Sequence, residues 1–524
     1  MTNKHARSSR LGLLSISILA TMISSASYAA EYLVKYRNHT TFMQLSAWDV
    51  GPSVMQIMDQ NPLARLVKIK VPDNQRAAVL AQLYSQKGIE YIVPNFKLRA
   101  YQEVNDPGTF VLRDQWAIKK VNAEKAWALA GNKGSKKIIV AVIDTGVDYK
   151  HKNLAPNMIA GYDFKDNDAD PMDKTSFQNP GHGTHCSGVI GATGLIDNGT
   201  IGLSPEVSIM PLRFLGEDGS GDLNDAIKAI DYAVEKGAHV ISASWGATVP
   251  RSQAAPLLEA IKRADSRGVI FVAAAANDGK NNDKTEVYPA NNGFPNSITV
   301  AASGASDAKP SWSNYGRSTV HVASPGENIM STVPGDKYSD MSGTSMATPL
   351  VSGLVALMKA QNPSITGEEA RAILQATGAQ VSIQTACNCR VDALQAIDLI
   401  KNKRPVIVPV ALTIPVGSQF NIHVFNGVGQ YQYVSSDTSI LEVTADGTAK
   451  GIKEGVARIQ AKDAGGNVVT SLDYIIGKAS SSQPEDPNQP DPGQPGDPGE
   501  CPIGDPQLCE IICKIKPELP FCKN

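Results

Sequence analysis

Ile138-Ile139-Val140-Ala141-Val142-Ile143-Asp144-Thr145-Gly146 is the stretch from which the fold is decided. Its six apolar residues, all β-branched except Ala141, are too few for a buried helix and suit a strand covered on both faces. An acid and a Thr-Gly turn end the run, which puts Asp144 at the carboxyl end of that strand. Runs of the same kind recur at Val240 to Ser244, Val269 to Ala275 and Ile298 to Ala302, with helical segments at Leu223 to Lys236 and Ala254 to Arg267. This alternation predicts an α/β fold: an open, mainly parallel sheet with helices on both faces and right-handed crossovers. In such a sheet the functional site lies beyond the carboxyl ends of the strands, which is where Asp144 stands.

Outward from this core, the α/β texture holds from about 104 to 402 and then changes on both sides. Residues 30–103 predict a small α+β unit. Tyr32 to Tyr36 and Ala64 to Val71 alternate like strands, Asp73 to Gln86 is helical with Asp73 as its cap, and Ile89 to Val93 is a last strand. Residues 403–478 are β-rich, with turns at Asn426-Gly427, Asp446-Gly447 and Gly465-Gly466, and predict a small β-sandwich similar to bacterial immunoglobulin-like modules. Residues 479–500, rich in Pro, Gly, Asp and Ser, are expected to be an extended linker. The tail, 501–524, is too short for its own core and needs its cysteines bridged. At the other end, Lys4, Arg7 and Arg10 precede the apolar run Leu11 to Ile23 and small residues at Ser27 and Ala29, the pattern of a signal peptide cut after Ala29. The run is shorter than the ~20 residues of a membrane span.

Composition excludes little. The 524 residues are 42% hydrophobic and 19% charged, with a net charge of −2, so neither nucleic acid nor an anionic membrane is expected as a partner. Seven cysteines are an odd number. Cys387, Cys389, Cys501, Cys509, Cys513 and Cys522 fit three disulfides in an exported protein, two of them inside the tail, with Cys387 and Cys389 either joined in a strained bridge or exchanging partners with the tail, and Cys186 stands apart.

Two further motifs join Asp144. Gly181-His182-Gly183-Thr184-His185 precedes a helix of small residues, and Gly343-Thr344-Ser345-Met346-Ala347-Thr348-Pro349 opens an apolar helix running to about Gln361. A serine hydroxyl becomes a nucleophile when an imidazole takes its proton, and a carboxylate fixes that imidazole's tautomer. The chain order Asp, His, Ser is that of the subtilisin arrangement. Over about 105–400 the sequence resembles the subtilisin-like serine proteases, nearest the proteinase K-like and thermitase-like branches. The resemblance implies a serine endopeptidase acting on protein or peptide substrates through an acyl-enzyme on Ser345, with His182 as base and Asp144 as its orienter. It matches Asn277 to the family's side-chain oxyanion donor, the loss of which costs about 3–4 kcal/mol. Ala276 before it departs from the family's usual Gly. Gly219-Ser220-Gly221 and Ser244-Trp245-Gly246 match the segments on which a peptide adds as a strand.

The resemblance also makes residues 30–103 an inhibitory, self-removed prodomain whose C-terminal stretch fills the cleft, with maturation between Leu98 and Asn105. A secreted, monomeric enzyme is expected. Cys186 is placed as a buried neighbour of His182. The acidic run Asp163 to Asp173 resembles a thermitase-like calcium loop, with Asp163, Asp166 and Asp168 as matching ligands and Asp170 as a further oxygen donor. Asn153 stands where another family calcium site has Asp. Two other classes remain open: a zinc peptidase using His182, His185 and Cys186, and a non-catalytic surface or adhesion protein using the C-terminal modules.

Overall fold

The computed structural model describes residues 30–40, 42, 54–101, 115–195, 199–477, 501 and 503–522. The expected signal peptide and the expected linker lie outside these residues.

The N-terminal unit is an antiparallel sheet in the order β2-β3-β1-β4. Its strands are β1 Ala30–Tyr36, β2 Gln56–Asn61, β3 Leu66–Val71 and β4 Ile89–Pro94. Alternation along β1 sorts its side chains to two faces. Tyr32, Val34 and Tyr36 pack with Val79, Leu80 and Leu83 of helix α1 Arg76–Tyr84, whereas Leu33 packs towards the larger domain. Asp73 is not a helix cap: it lies in a 3₁₀ turn, Asp73–Gln75, and neither that turn nor α1 has a side-chain cap. Strand β2 carries too polar a sequence to announce itself. A fifth strand, β5 Lys97–Ala100, leaves this sheet and enters the next domain.

The central sheet has nine strands. Seven of them, in chain order, are β6 Ile139–Asp144, β7 Tyr162–Asp163, β8 Ser208–Arg213, β10 Val240–Ala243, β12 Ile270–Ala274, β14 Ser297–Ser303 and β15 Val322–Pro325. Two short strands, Ala379–Gln380 and Cys389–Arg390, complete one edge. All pairings are parallel except that last one. Val140 and Val142 of β6 face one apolar cluster while Ala141 and Ile143 face another, so the strand is covered on both sides. Helices α2 His182–Gly191 and α5 Thr344–Gln361 lie on the first side, and α3 Leu223–Glu235 and α4 Arg251–Ser266 on the second. Residues Thr344 to Lys359 of α5 are all buried, as expected of a helix apolar on every face.

Short strands between Val406 and Gly477 form four small sheets around a core that includes Ile407, Leu441, Tyr474 and Ile476. Cysteines pair as Cys387–Cys389, Cys501–Cys509 and Cys513–Cys522, and Cys186 is free and buried. The tail forms helix α6 Pro506–Ile515 and does not stand alone. Its Ile503, Leu508, Ile512, Leu519 and Phe521 share the apolar cluster of the N-terminal unit. Among the described residues no helix is long and apolar enough to cross a membrane.

Candidate active site

Asp144 ends β6, and the first residue of α2, His182, meets it there: His182 Nδ1 donates to Asp144 Oδ1 at 2.6 Å. The approach depends on Gly183, since a Cβ at that position would lie 2.1 Å from the Gly146 carbonyl oxygen. Thr145 N–H also donates to Asp144 Oδ1, at 2.7 Å, which fixes the carboxylate plane. Burial pushes the His182 pKa down, but the adjacent Asp144 carboxylate, and to a lesser degree Cys186, more than offset this and hold it well above the ordinary value. Its Nε2 is buried and free of any hydrogen bond.

Asp173 joins the two motifs from beneath. It accepts from Thr145 Oγ1 and Asn179 Nδ2 at 2.9 and 3.0 Å, and from the N–H and Oγ1 of Thr184 at 3.0 and 2.6 Å. Burial raises its pKa to about 6 despite these four donors. Nothing in the sequence separated Asp173 from its acidic neighbours as the residue that clips the Asp144 turn to the His182 helix.

Ser345 sits in the first turn of α5. Pro349 lacks an N–H, so the Ser345 carbonyl has no donor four residues on. It accepts instead from Ser244 Oγ at 3.1 Å and Cys186 Sγ at 3.4 Å, which ties the helix start to the sheet. The Ser345 hydroxyl donates to the Ser244 carbonyl at 2.9 Å and is not engaged with His182 here. Cys186 Sγ lies 4.0 Å from His182 Nδ1, and burial raises its thiol pKa. His185, one turn along α2, faces away: its Nε2 meets the carbonyls of Ile329 and Ser339 at 2.8 and 3.1 Å, and burial lowers its pKa to about 3. The zinc set of His182, His185 and Cys186 therefore does not converge.

Asn277 follows β12, and its Oδ1 accepts from Thr344 N–H and Oγ1 at 3.0 and 2.9 Å. This fixes the amide and leaves Nδ2 buried with no acceptor, a donor held ready for one. Ala276 takes a φ of 88°, a left-handed conformation that glycine adopts without strain.

The two strand-binding segments lie on either side of β5. Strand β9 Ser220–Asp222 pairs antiparallel with Lys97 to Arg99, and β11 Trp245–Thr248 pairs antiparallel with Arg99 and Ala100. Ala100 N–H donates to the Gly219 carbonyl and Tyr101 N–H to the Ser244 carbonyl, both at 3.1 Å. Gly219, Ser220, Gly221, Ser244, Trp245 and Gly246 thus grip the chain that leads out of the N-terminal unit. The Tyr101 side chain packs against Ala276, Val287 and Ala290, and a Cβ on Gly246 would come within 2.5 Å of its phenol oxygen.

The acidic loop is arranged differently from the expected ligand set. Asp163 is fully buried; its Oδ2 pairs with Arg213 Nη1 at 2.5 Å and its Oδ1 accepts from the Lys165 and Asp166 N–H groups at 2.8 and 3.1 Å. Both its oxygens thus accept from protein donors. Asp166 pairs with Arg213 at 2.7 Å and with Lys174, Asp168 Oδ1 accepts from Asp170 N–H at 2.8 Å, and Asp170 Oδ1 accepts from Tyr149 OH at 2.9 Å. Each of these three keeps a second oxygen without a protein donor among the described residues. Their ligand atoms do not gather: the one such cluster of acid, His or Cys groups among the described residues is Asp144, His182 and Cys186. Asn153 offers no oxygen, since Thr193 Oγ1 and Gly194 N–H donate to its Oδ1 at 2.7 and 3.1 Å.

A profile described as the subtilase family matches residues 135–394. Thermitase of Thermoactinomyces vulgaris is 39% identical over 278 residues, 53% of this chain and 92% of that protein. The major intracellular serine protease of Bacillus subtilis (strain 168) is 41% identical over 245 residues, 46% of this chain and 74% of that one. The halolysin-like extracellular serine protease Nep of Natrialba magadii is 31% identical over 341 residues, 63% and 60% of the two chains. With the Asp144–His182 pair, the serine at a helix start and the slot around β5 in place, this chain belongs to the subtilase family and is a subtilisin-like serine endopeptidase.

Proposed function

We propose that the chain is a secreted endopeptidase made as a self-processing precursor, in which Asp144, His182 and Ser345 form the catalytic triad and residues 30–101 the inhibitory prodomain. The observation that carries this reading is β5, a strand of the chain itself held between β9 and β11 in the manner of a substrate. Its far end reaches the Ser244 carbonyl, the same group that holds the Ser345 hydroxyl. Tyr101 then fills the pocket before the scissile bond, and the cut falls between Tyr101 and Gln102, inside the expected Leu98 to Asn105 window.

The chemistry follows from the groups in place. Ser345 Oγ turns from the Ser244 carbonyl to His182 Nε2, which takes its proton as the oxygen attacks the Tyr101 carbonyl carbon. Asp144 holds the imidazole tautomer and stabilises the imidazolium. Asn277 Nδ2 and the Ser345 N–H donate to the oxyanion, aided by the positive end of α5. Collapse breaks the C–N bond, and His182 returns the proton to the leaving amine. Water, deprotonated by the same imidazole, then releases the acyl group from Ser345.

Ser345→Ala tests the reading. It should lower peptide hydrolysis by about 10⁶-fold, the general loss on removing the nucleophile of such a triad, and leave the precursor uncut. Amino-terminal sequencing of the active protein should begin at Gln102; complete processing of pure Ser345→Ala chain would sink self-cleavage. Calcium at the acidic loop rests on donor chemistry alone, the hard free oxygens of Asp166, Asp168 and Asp170. A chelator should lower the melting temperature of the intact protein, and Asp166→Ala with Asp168→Ala should make melting indifferent to chelator. A double variant as chelator-sensitive as its parent would place the ion elsewhere.

A further inference from the structure

The N-terminal unit is held on two opposite sides. On one side it docks to the catalytic domain, with Lys35 and Tyr91 on Glu259, Lys68 on Asp222, Lys228 on Asp59, and β5 in the cleft. On the side covered by α1 it meets the cysteine-rich tail, which the sequence brings from more than 400 residues away. Ile512 is fully buried there, with Leu508, Leu519 and Phe521 packed among Val79, Leu80 and Leu83. Tyr84 and Phe521 meet edge to face, their ring centroids 5.2 Å apart, and Arg76 lies 3.8 Å from Asp505, the residue that caps α6. The tail also reaches the catalytic domain, because Gly504 sits against Gln253 of α4 so closely that a Cβ would lie 1.8 Å from the amide nitrogen.

Two disulfides fix the tail around α6, so its apolar face is preformed and little ordering entropy opposes docking. Residues 478–500 join it covalently to the rest of the chain, so its docking is intramolecular and does not compete with dilution. The geometry points to the tail as a clamp on the prodomain. Once the bond after Tyr101 is cut, a step that rests on the self-processing reading above, only β5 and the side-chain contacts to Glu259, Asp222 and Lys228 would hold the released unit on the catalytic domain. A second, independently tethered grip multiplies the two affinities and slows departure. The tail is therefore a binding module for residues 30–101, and activation requires that it let go.

The test uses full-length chains. In the uncut Ser345→Ala precursor, hydrogen exchange of the α1 amides should be slow and should speed up at least tenfold in Ile512→Asp and in Phe521→Ala, which keeps both bridges. Ile511→Asp, at a side chain 47% exposed, is the control and should leave exchange unchanged. In the active chain, the cleaved N-terminal fragment should stay with the enzyme at least ten times longer than in Ile512→Asp, with a matching shortening of the lag before casein hydrolysis. Unchanged α1 exchange in both tail variants, or equal fragment lifetimes in the active chains, overturns the clamp. If the active chain yields no N-terminal fragment, self-processing has failed and the exchange arm alone decides the clamp.

Discussion

Two groups of aspartates lie within one stretch of chain and meet opposite fates. Asp173, like Asp144, is buried against hydroxyl, amide or imidazole donors, with no Lys or Arg paired to it among the described residues. Asp163 and Asp166 are held by the guanidinium of Arg213, whose Cα pairs in register with Asp163 across β7 and β8. The difference teaches that burial without a cation raises a carboxylate's pKa, as at Asp173, whereas adjacent cations lower it. Lys174 and Arg213 hold Asp166 at a pKa of about 2.

The largest effect expected from breaking the contrast is at Asp144. Asp144→Asn should reduce kcat by about 10⁴-fold, because the imidazole loses its tautomer and its counter-charge. It also removes the cause that holds the His182 pKa up, so burial should take it below the ordinary histidine value; nuclear magnetic resonance titration of the ring protons checks this. Next is Arg213→Ala, which strands the fully buried Asp163 carboxylate. Breaking such a buried pair costs about 3–5 kcal/mol, read as a shift in the denaturant midpoint at constant slope. A loss below 1 kcal/mol would mean that solvent or an ion replaces the guanidinium.

The smallest effect concerns pH. Asp173 has its pKa raised from 3.8 to about 6 in the folded chain, which therefore binds this proton more tightly than the unfolded chain does. Its stabilising contribution is fully present below about pH 4 and is lost as pH rises through about 6, a span worth about 3 kcal/mol. Asp173→Asn should remove that downward slope from the stability profile between pH 4 and 6. Parallel profiles for the two proteins would show that its four donors keep the carboxylate ionised throughout.

Much of this was legible in the sequence. The apolar runs at 138–143 and 269–275 became β6 and β12, because a strand buried on both faces needs little else to declare itself. The three motifs and the two glycine-bearing segments also stood out by their local glycine or helix-start patterns, and the fold brings His182 to Asp144 and sets the segments on either side of β5. What escaped depends on partners distant in sequence. The resemblance implied an extended stretch in the cleft, but the bounds of β5 did not show, because it is polar and short and its strand partners are β9 and β11. Asp173 looked like one more acid in a run, and nothing near Asp163 in sequence announced Arg213, which comes alongside through the β7–β8 pairing. The tail was expected to hold itself together by disulfides. It forms them, but its apolar face is completed by α1 at the other end of the chain.

The slot between β9 and β11 has a consequence for what the enzyme can digest. It takes main chain on both edges, so a segment must arrive fully extended, stripped of its own helical or sheet partners, over the span that Lys97 to Tyr101 occupies here. A compact target cannot present such a segment without first melting locally, and the free energy of that opening subtracts directly from binding. Between two folded targets of equal composition, the one with the looser loop should therefore be cut sooner. The rate should follow the population of its open form more than the identity of its side chains.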